Sequence, residues 1–70
     1  MKYQGSTNYK TWNVGLYIDN EWELYCLAKQ CRTYQDFVNI VSTATTVDGV
    51  RWDDPEIDHA ELDIHIADIC

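Results

Sequence analysis

Apolar positions along the chain fall mostly at helical spacing, interrupted by short polar stretches. Tyr9, Trp12, Asn13 and Leu16 recur at i, i+3, i+4 and i+7 behind the cap-forming run Ser6-Thr7-Asn8, which predicts a first helix over about 8–18. Val14 and Ile18 lie on a second face of the same helix, so it is expected to be buried on two sides. Tyr9, Trp12 and Tyr17 are its candidate core aromatics. Gly15 in the middle costs roughly 1 kcal/mol against alanine, tolerable where another backbone packs close. Asn20-Glu21-Trp22-Glu23 reads as a fresh N-cap with a glutamate at N3, opening a second helix over about 21–32. Leu24, Leu27, Ala28 and Cys31 share one side of it, while Trp22, Tyr25 and Cys26 share nearly the opposite side. The aliphatic side is assigned to the core, which leaves Trp22 and Tyr25 at least partly exposed beside Glu21 and Glu23.

Thr33 followed by Asp36 repeats the cap signal, and Tyr34, Phe37, Val38, Val41 and Ala44 keep the helical period over about 34–45. The β-branched residues Val38, Ile40, Val41, Thr43 and Thr45 argue for strand, but the period decides for helix. Asp48-Gly49 is a turn signal, Val50-Arg51-Trp52 a short extended piece, and Asp53-Asp54-Pro55 an acidic loop. Trp52 is expected to close the core under that loop. Asp58 at N-cap, Glu61 at N3 and an Ile57–Leu62 staple mark a last helix over about 59–69, with Leu62, Ile66 and Ile69 on its inner face. The fold expected is therefore all-α: a single domain over 1–70 with four short helices and an acidic loop before the last.

Length sharpens this picture. Seventy residues bury only about 60% of the surface of the unfolded chain, so the core is thin and leaves room for a contribution from a partner or a second copy. No apolar run approaches the ~20 residues of a membrane span, and a cytoplasmic location is expected. Charge adds more. Residues 1–47 hold four acids and four bases, whereas residues 48–70 hold eight acids and only Arg51, so the whole formal charge of −7 belongs to the last third. Direct binding to nucleic acid or to an anionic membrane needs clustered lysine and arginine and is not expected; a basic protein surface is the better partner.

Chemistry is sparse. There is no glycine-rich phosphate loop, nucleophile elbow or His-x-x-x-His pair, so no enzyme, no catalytic residue and no cofactor is assigned. Cys26, Cys31 and Cys70 are an odd set, read as buried or half-buried thiols in a reducing compartment. His59 with Asp63 and Glu61 with His65 are spaced as ordinary i,i+4 helix pairs. Asp53, Asp54, Glu56 and Asp58 lack both the glycine and the closing glutamate of a calcium hand, so no metal site is assigned. The candidate partner-binding residues are Asp53, Asp54, Glu56, Asp63 and Asp68, which would spread carboxylates over some 15–25 Å in the manner of a run of phosphates. Asp58 and Glu61 are read as helix-start residues instead. Trp22 and Tyr25, flanked by Glu21 and Glu23, are the candidate aromatic anchors.

The run Asn8-Tyr9-Lys10-Thr11-Trp12-Asn13-Val14-Gly15-Leu16, followed by Asn20 and Leu24-Tyr25, resembles the N-Y-x-T-W-N-V-x-L opening of small phage and plasmid proteins. Asp48-Gly49-Val50 and Trp52-Asp53-Asp54-Pro55 are similar to that group too, so the resemblance covers most of 8–31 and 48–62. Lys10, where an acid is expected, and Trp22 depart from it. The motif carries over no catalytic residues. The resemblance implies a mobile-element origin, and small acidic proteins of such elements are often inhibitors of host defence, anti-CRISPR and anti-restriction proteins among them. The expectation is thus a stoichiometric inhibitor in the host bacterial cytoplasm that blocks a basic nucleic-acid-handling surface, most simply on a CRISPR effector subunit. The alternative is an accessory protein of a mobile element acting as a small homodimer through Trp22 and Tyr25. A metal-dependent enzyme or sensor is the third reading, to be recognised by metal retained through dialysis.

Overall fold

In the computed structural model, residues 5–42 and 44–69 are described, and they form four helices: α1 Tyr9–Asn20, α2 Trp22–Lys29, α3 Tyr34–Val41 and α4 His59–Ile69. The protein is a small all-α single domain. Its Cα radius of gyration is 10.7 Å, close to the ~11 Å expected for a folded domain of this length. Among the described residues no helix is long and apolar enough to cross a membrane.

Three helix starts follow from their capping side chains. The Asn8 carboxamide oxygen accepts from the Thr11 N–H (2.8 Å), the Thr33 hydroxyl from the Asp36 N–H (3.2 Å), and the Asp58 carboxylate from the Glu61 N–H (3.1 Å). The start of α2 differs from the sequence expectation. Asn20 is still helical, its amide donating to the Leu16 carbonyl at 2.9 Å, and Glu21 holds the cap position without a side-chain cap bond. The amide satisfied its own turn and so was not free to cap the next. Helix α2 also stops short of residue 32, because the Gln30 and Cys31 N–H groups bond three residues back, to Leu27 and Ala28, and tighten the last turn.

The end of α3 is the largest change. It closes at Val41, where Ser42 takes φ 57°, and residues 44–46 run extended instead of continuing the helix to 45. Thr45 pairs antiparallel with Arg51, the Thr46 N–H donates to Val50 (2.8 Å) and the Trp52 N–H to Ala44 (3.2 Å). Gly49 turns this arm at φ 89°. Val38, Ile40 and Val41 stay in the helix as the period requires, and Thr45 goes extended where the chain can pair with 50–52. Thr43, expected within the helix, lies outside the described residues.

The core gathers Val14, Ile18, Ala28, Tyr34, Phe37, Trp52, Leu62 and Ile66, with Leu24, Leu27, Val41 and Ile69 packed against it. Trp52 is buried, as its place under the loop suggests, and meets Phe37 edge-on at 5.2 Å. Helix α1 buries the Val14–Ile18 side as expected, together with Thr11, Asn13 and Gly15, but not the aromatic stripe: Tyr9 and Leu16 are exposed and Trp12 and Tyr17 only half-buried. Tyr34 takes the place expected for the α1 aromatics, its hydroxyl donating to the Trp52 carbonyl at 2.6 Å. Burial raises its phenol well above the usual tyrosine range. Cys31 is buried and Cys26 half-buried, both as thiols; Cys70 lies outside the described residues.

Candidate functional site

The acidic loop is held to the start of α1 by the very residues of the N-Y-K-T-W-N run. The Asn8 amide donates to the Glu56 carbonyl (2.7 Å), and the Thr11 hydroxyl accepts from the Asp58 N–H (2.9 Å). Lys10 Nζ sits 2.9 Å from Asp54 and 3.6 Å from Glu56. Asn13, fully buried, donates to Asp48 (2.8 Å) and accepts from the Thr46 hydroxyl (2.8 Å), fixing the 46–50 turn. Thr7 adds a clasp on α4: its hydroxyl reaches Asp58 (2.6 Å) and Glu61 (3.0 Å), and its N–H donates to Glu61 (2.8 Å). Glu61 therefore does not close a box onto the Asp58 N–H, which Thr11 already accepts. These contacts leave their mark on titration. The Lys10 hydrogen bond, helped by the Glu56 N–H, holds the Asp54 carboxyl below the usual range, and the Thr7 hydroxyl does the same for Asp58. Burial opposes the charge on Glu61, but hydrogen bonds from Ser6 and Thr7 outweigh it and lower its pKa.

This arrangement changes what the predicted acidic residues offer a partner. Asp53 is paired with Arg51 through two contacts of 3.0 and 2.9 Å, and Asp54 and Glu56 share Lys10. The loop thus sets three carboxylates against two cations, and folding has moved Lys10 from the neutral two-thirds of the chain onto it. Asp63 caps α3, accepting the Tyr34 N–H at 2.8 Å. The i,i+4 helix pairs are not made: His65 bonds Asp19 on α1 (2.8 Å), and His59 lies edge-on against Tyr34. Asp68 is exposed and Glu56 keeps most of its side chain in solvent.

The α1–α2 corner has the opposite character. Trp22 is 73% exposed and lies almost parallel to Tyr25, with ring centroids 5.9 Å apart and planes 17° from each other. Lys29 Nζ stands over the Tyr25 ring, 5.9 Å from its centroid. The carboxylates of Glu21 and Glu23, exposed on either side of Trp22, make no hydrogen bond or ion pair among the described residues. Both also line a groove of about 390 Å³ that runs between α2 and the 44–47 arm over Leu24, Leu27, Val41 and Trp52. Sequence inspection found the corner but missed the groove. Its far wall, Val47 and its neighbours, comes from a stretch read as helix and turn, and only the pairing with 50–52 brings it opposite α2.

Among the described residues, no three or more His, Cys, Asp or Glu side chains are arranged to hold a metal ion. Fold and composition together define a class: a small acidic all-α protein, with four helices among the described residues. The chain belongs to DUF7249, a family of unknown function whose match spans residues 1–40, more than half of the chain. No curated protein and no solved structure matches it. The matched span contains all the clamp residues of α1 and the whole Trp22 corner, while the segments that the clamps hold lie beyond it.

Proposed function

We propose that this protein is a non-enzymatic, stoichiometric binder that docks on a basic, nucleic-acid-handling surface of another protein. In line with its resemblance to small phage and plasmid proteins, the target we infer is a host defence complex, with a CRISPR effector subunit first among the candidates. The observation that carries this is the α1–α2 corner. An exposed tryptophan, held against Tyr25 and set between two unpaired carboxylates, suits a contact that buries an aromatic and meets Lys or Arg around it. The net charge of −7 supplies long-range attraction to such a surface.

Within this reading the weight among the candidate residues shifts. Glu21, Trp22, Glu23 and Tyr25 make the contact; Glu56 and Asp68 add field; Asp53, Asp54 and Asp63 mainly hold the fold. The test is phage plaquing on a bacterial strain with an active CRISPR system, with and without the protein expressed. Restored plaquing that is lost in Trp22→Ala supports the proposal, and plaquing unaffected by the protein across the CRISPR types tested counts against the CRISPR target. The Trp22–Tyr25 stack also suits a homodimer. Sedimentation separates the two, since a mass that doubles with concentration in the wild type and not in Trp22→Ala favours the dimer.

A further inference from the structure

The groove beside the corner carries one inference more. Its floor is apolar, made by Leu24 and Leu27 of α2, Val41 at the end of α3 and the Trp52 edge, and its outer lip is Val47, 88% exposed. Its rim carries Glu21 and Glu23. A volume of about 390 Å³ is at the small end of the ~300–1,000 Å³ range of ligand pockets, enough for one or two side chains. We propose that this groove seats an apolar side chain of a partner protein segment that carries Lys or Arg on both sides of it.

Charge chooses this occupant over a second copy of the chain. The most exposed apolar side chains, Trp22, Val47 and Ile64, each have a carboxylate next to them in sequence, and a second copy of any orientation brings a net charge of −7 to a rim that already holds two carboxylates. Like charges at that distance oppose docking, whereas flanking cations find unpaired partners there. A nucleic acid is disfavoured by the same carboxylates and gains nothing from an aliphatic floor. Glu23 also suits the positive end of α2, but the macrodipole accounts for a carboxylate in the first turn and not for the apolar trough below it.

This rests on the protein-binding reading above, yet its test needs no identified partner. The probe is the capped pentapeptide Lys-Lys-Leu-Lys-Lys, titrated into isotope-labelled protein and followed by methyl and indole NMR, with Lys-Lys-Ala-Lys-Lys and Glu-Glu-Leu-Glu-Glu as controls. The expected result is saturable shifts at Leu24, Leu27, Val41, Val47 and the Trp52 indole. The alanine peptide should bind about tenfold more weakly, as loss of a buried leucine side chain requires, and the acidic peptide should leave those signals in place. Glu21→Gln with Glu23→Gln should weaken binding of the basic probe while the rest of the spectrum is unchanged. Equal binding of the leucine and alanine peptides, shifts confined to Asp53–Glu56, or no shift at saturating probe would overturn the proposal. Any of these alongside partner capture that depends on Trp22 removes the groove and leaves the docking surface standing.

Discussion

Asn13 and Thr7 tie the start of the chain to segments far along it, Asn13 to the 46–50 turn and Thr7 to the start of α4. Asn13 is fully buried, and its amide reaches both Asp48 and Thr46 on an arm more than thirty residues away. Replacing it with alanine leaves the buried Thr46 hydroxyl without its acceptor and frees the 46–50 turn. Asn13→Ala should cost about 2–3 kcal/mol, read from the urea midpoint by tryptophan fluorescence; a loss below about 0.5 kcal/mol would mean the arm holds without it. Thr7 is better tested by titration. Asp54, Asp58 and Glu61 have folded pKa values below their ordinary ones, so they stabilise the fold at neutral pH. That contribution is lost as pH falls from about 4 through the lowered values, because the unfolded chain then binds more protons. In Thr7→Val the carboxyl signals of Asp58 and Glu61 should titrate closer to the ordinary range, while Asp54, held by Lys10, stays where it is. A Thr7→Val protein with unmoved Asp58 and Glu61 curves would contradict the clasp.

At the scale of elements, the starts of helices were legible and their ends and inner faces less so. Asn8, Thr33 and Asp58 cap as their residue types demand, since a capping side chain acts on backbone only two or three residues away. The end of α3 depends on an arm nine residues further on and could not be read locally. On α1 the Val14–Ile18 side goes inward as its pattern implies, but the second expected side does not, although Tyr9, Trp12 and Leu16 outweigh Thr11 and Gly15 in hydrophobicity. Yet it is the smaller residues that let α4 approach, with Leu62 nearest. That approach is less tight than the glycine suggested. A β-carbon on Gly15 would lie 3.7 Å from the Leu62 side chain, an ordinary contact. Gly15→Ala should therefore raise stability by about 0.5–1 kcal/mol through helix propensity, visible as a higher thermal midpoint. A lower midpoint would show that α1 and α4 are packed more closely than this.

On the scale of the whole molecule, the acid excess of the last third was plain in the sequence, but what most of those acids do was not. Folding lays Lys10 and Arg51 over the loop and turns Asp58, Glu61 and Asp63 into fastenings for helices and termini. Reversing Asp54 to lysine would set two cations against each other at Lys10, so it would test the fold before it tested a partner. The Trp22 corner was legible because α2 has two distinct faces and its aliphatic one had to go inward. The groove was hidden because its two walls belong to segments twenty residues apart.

The central claim is that the corner meets a basic protein surface. The most direct measurement is affinity capture from nuclease-treated bacterial lysate at low and high salt, comparing the wild type with a Glu21→Gln, Trp22→Ala, Glu23→Gln variant and identifying what is retained by mass spectrometry. A nucleic-acid-handling protein recovered in stoichiometric amount by the wild type, weakened by salt as paired charges require, and lost by the variant is the predicted result. Recovery of the chain alone, or equal recovery by the variant, would contradict the account.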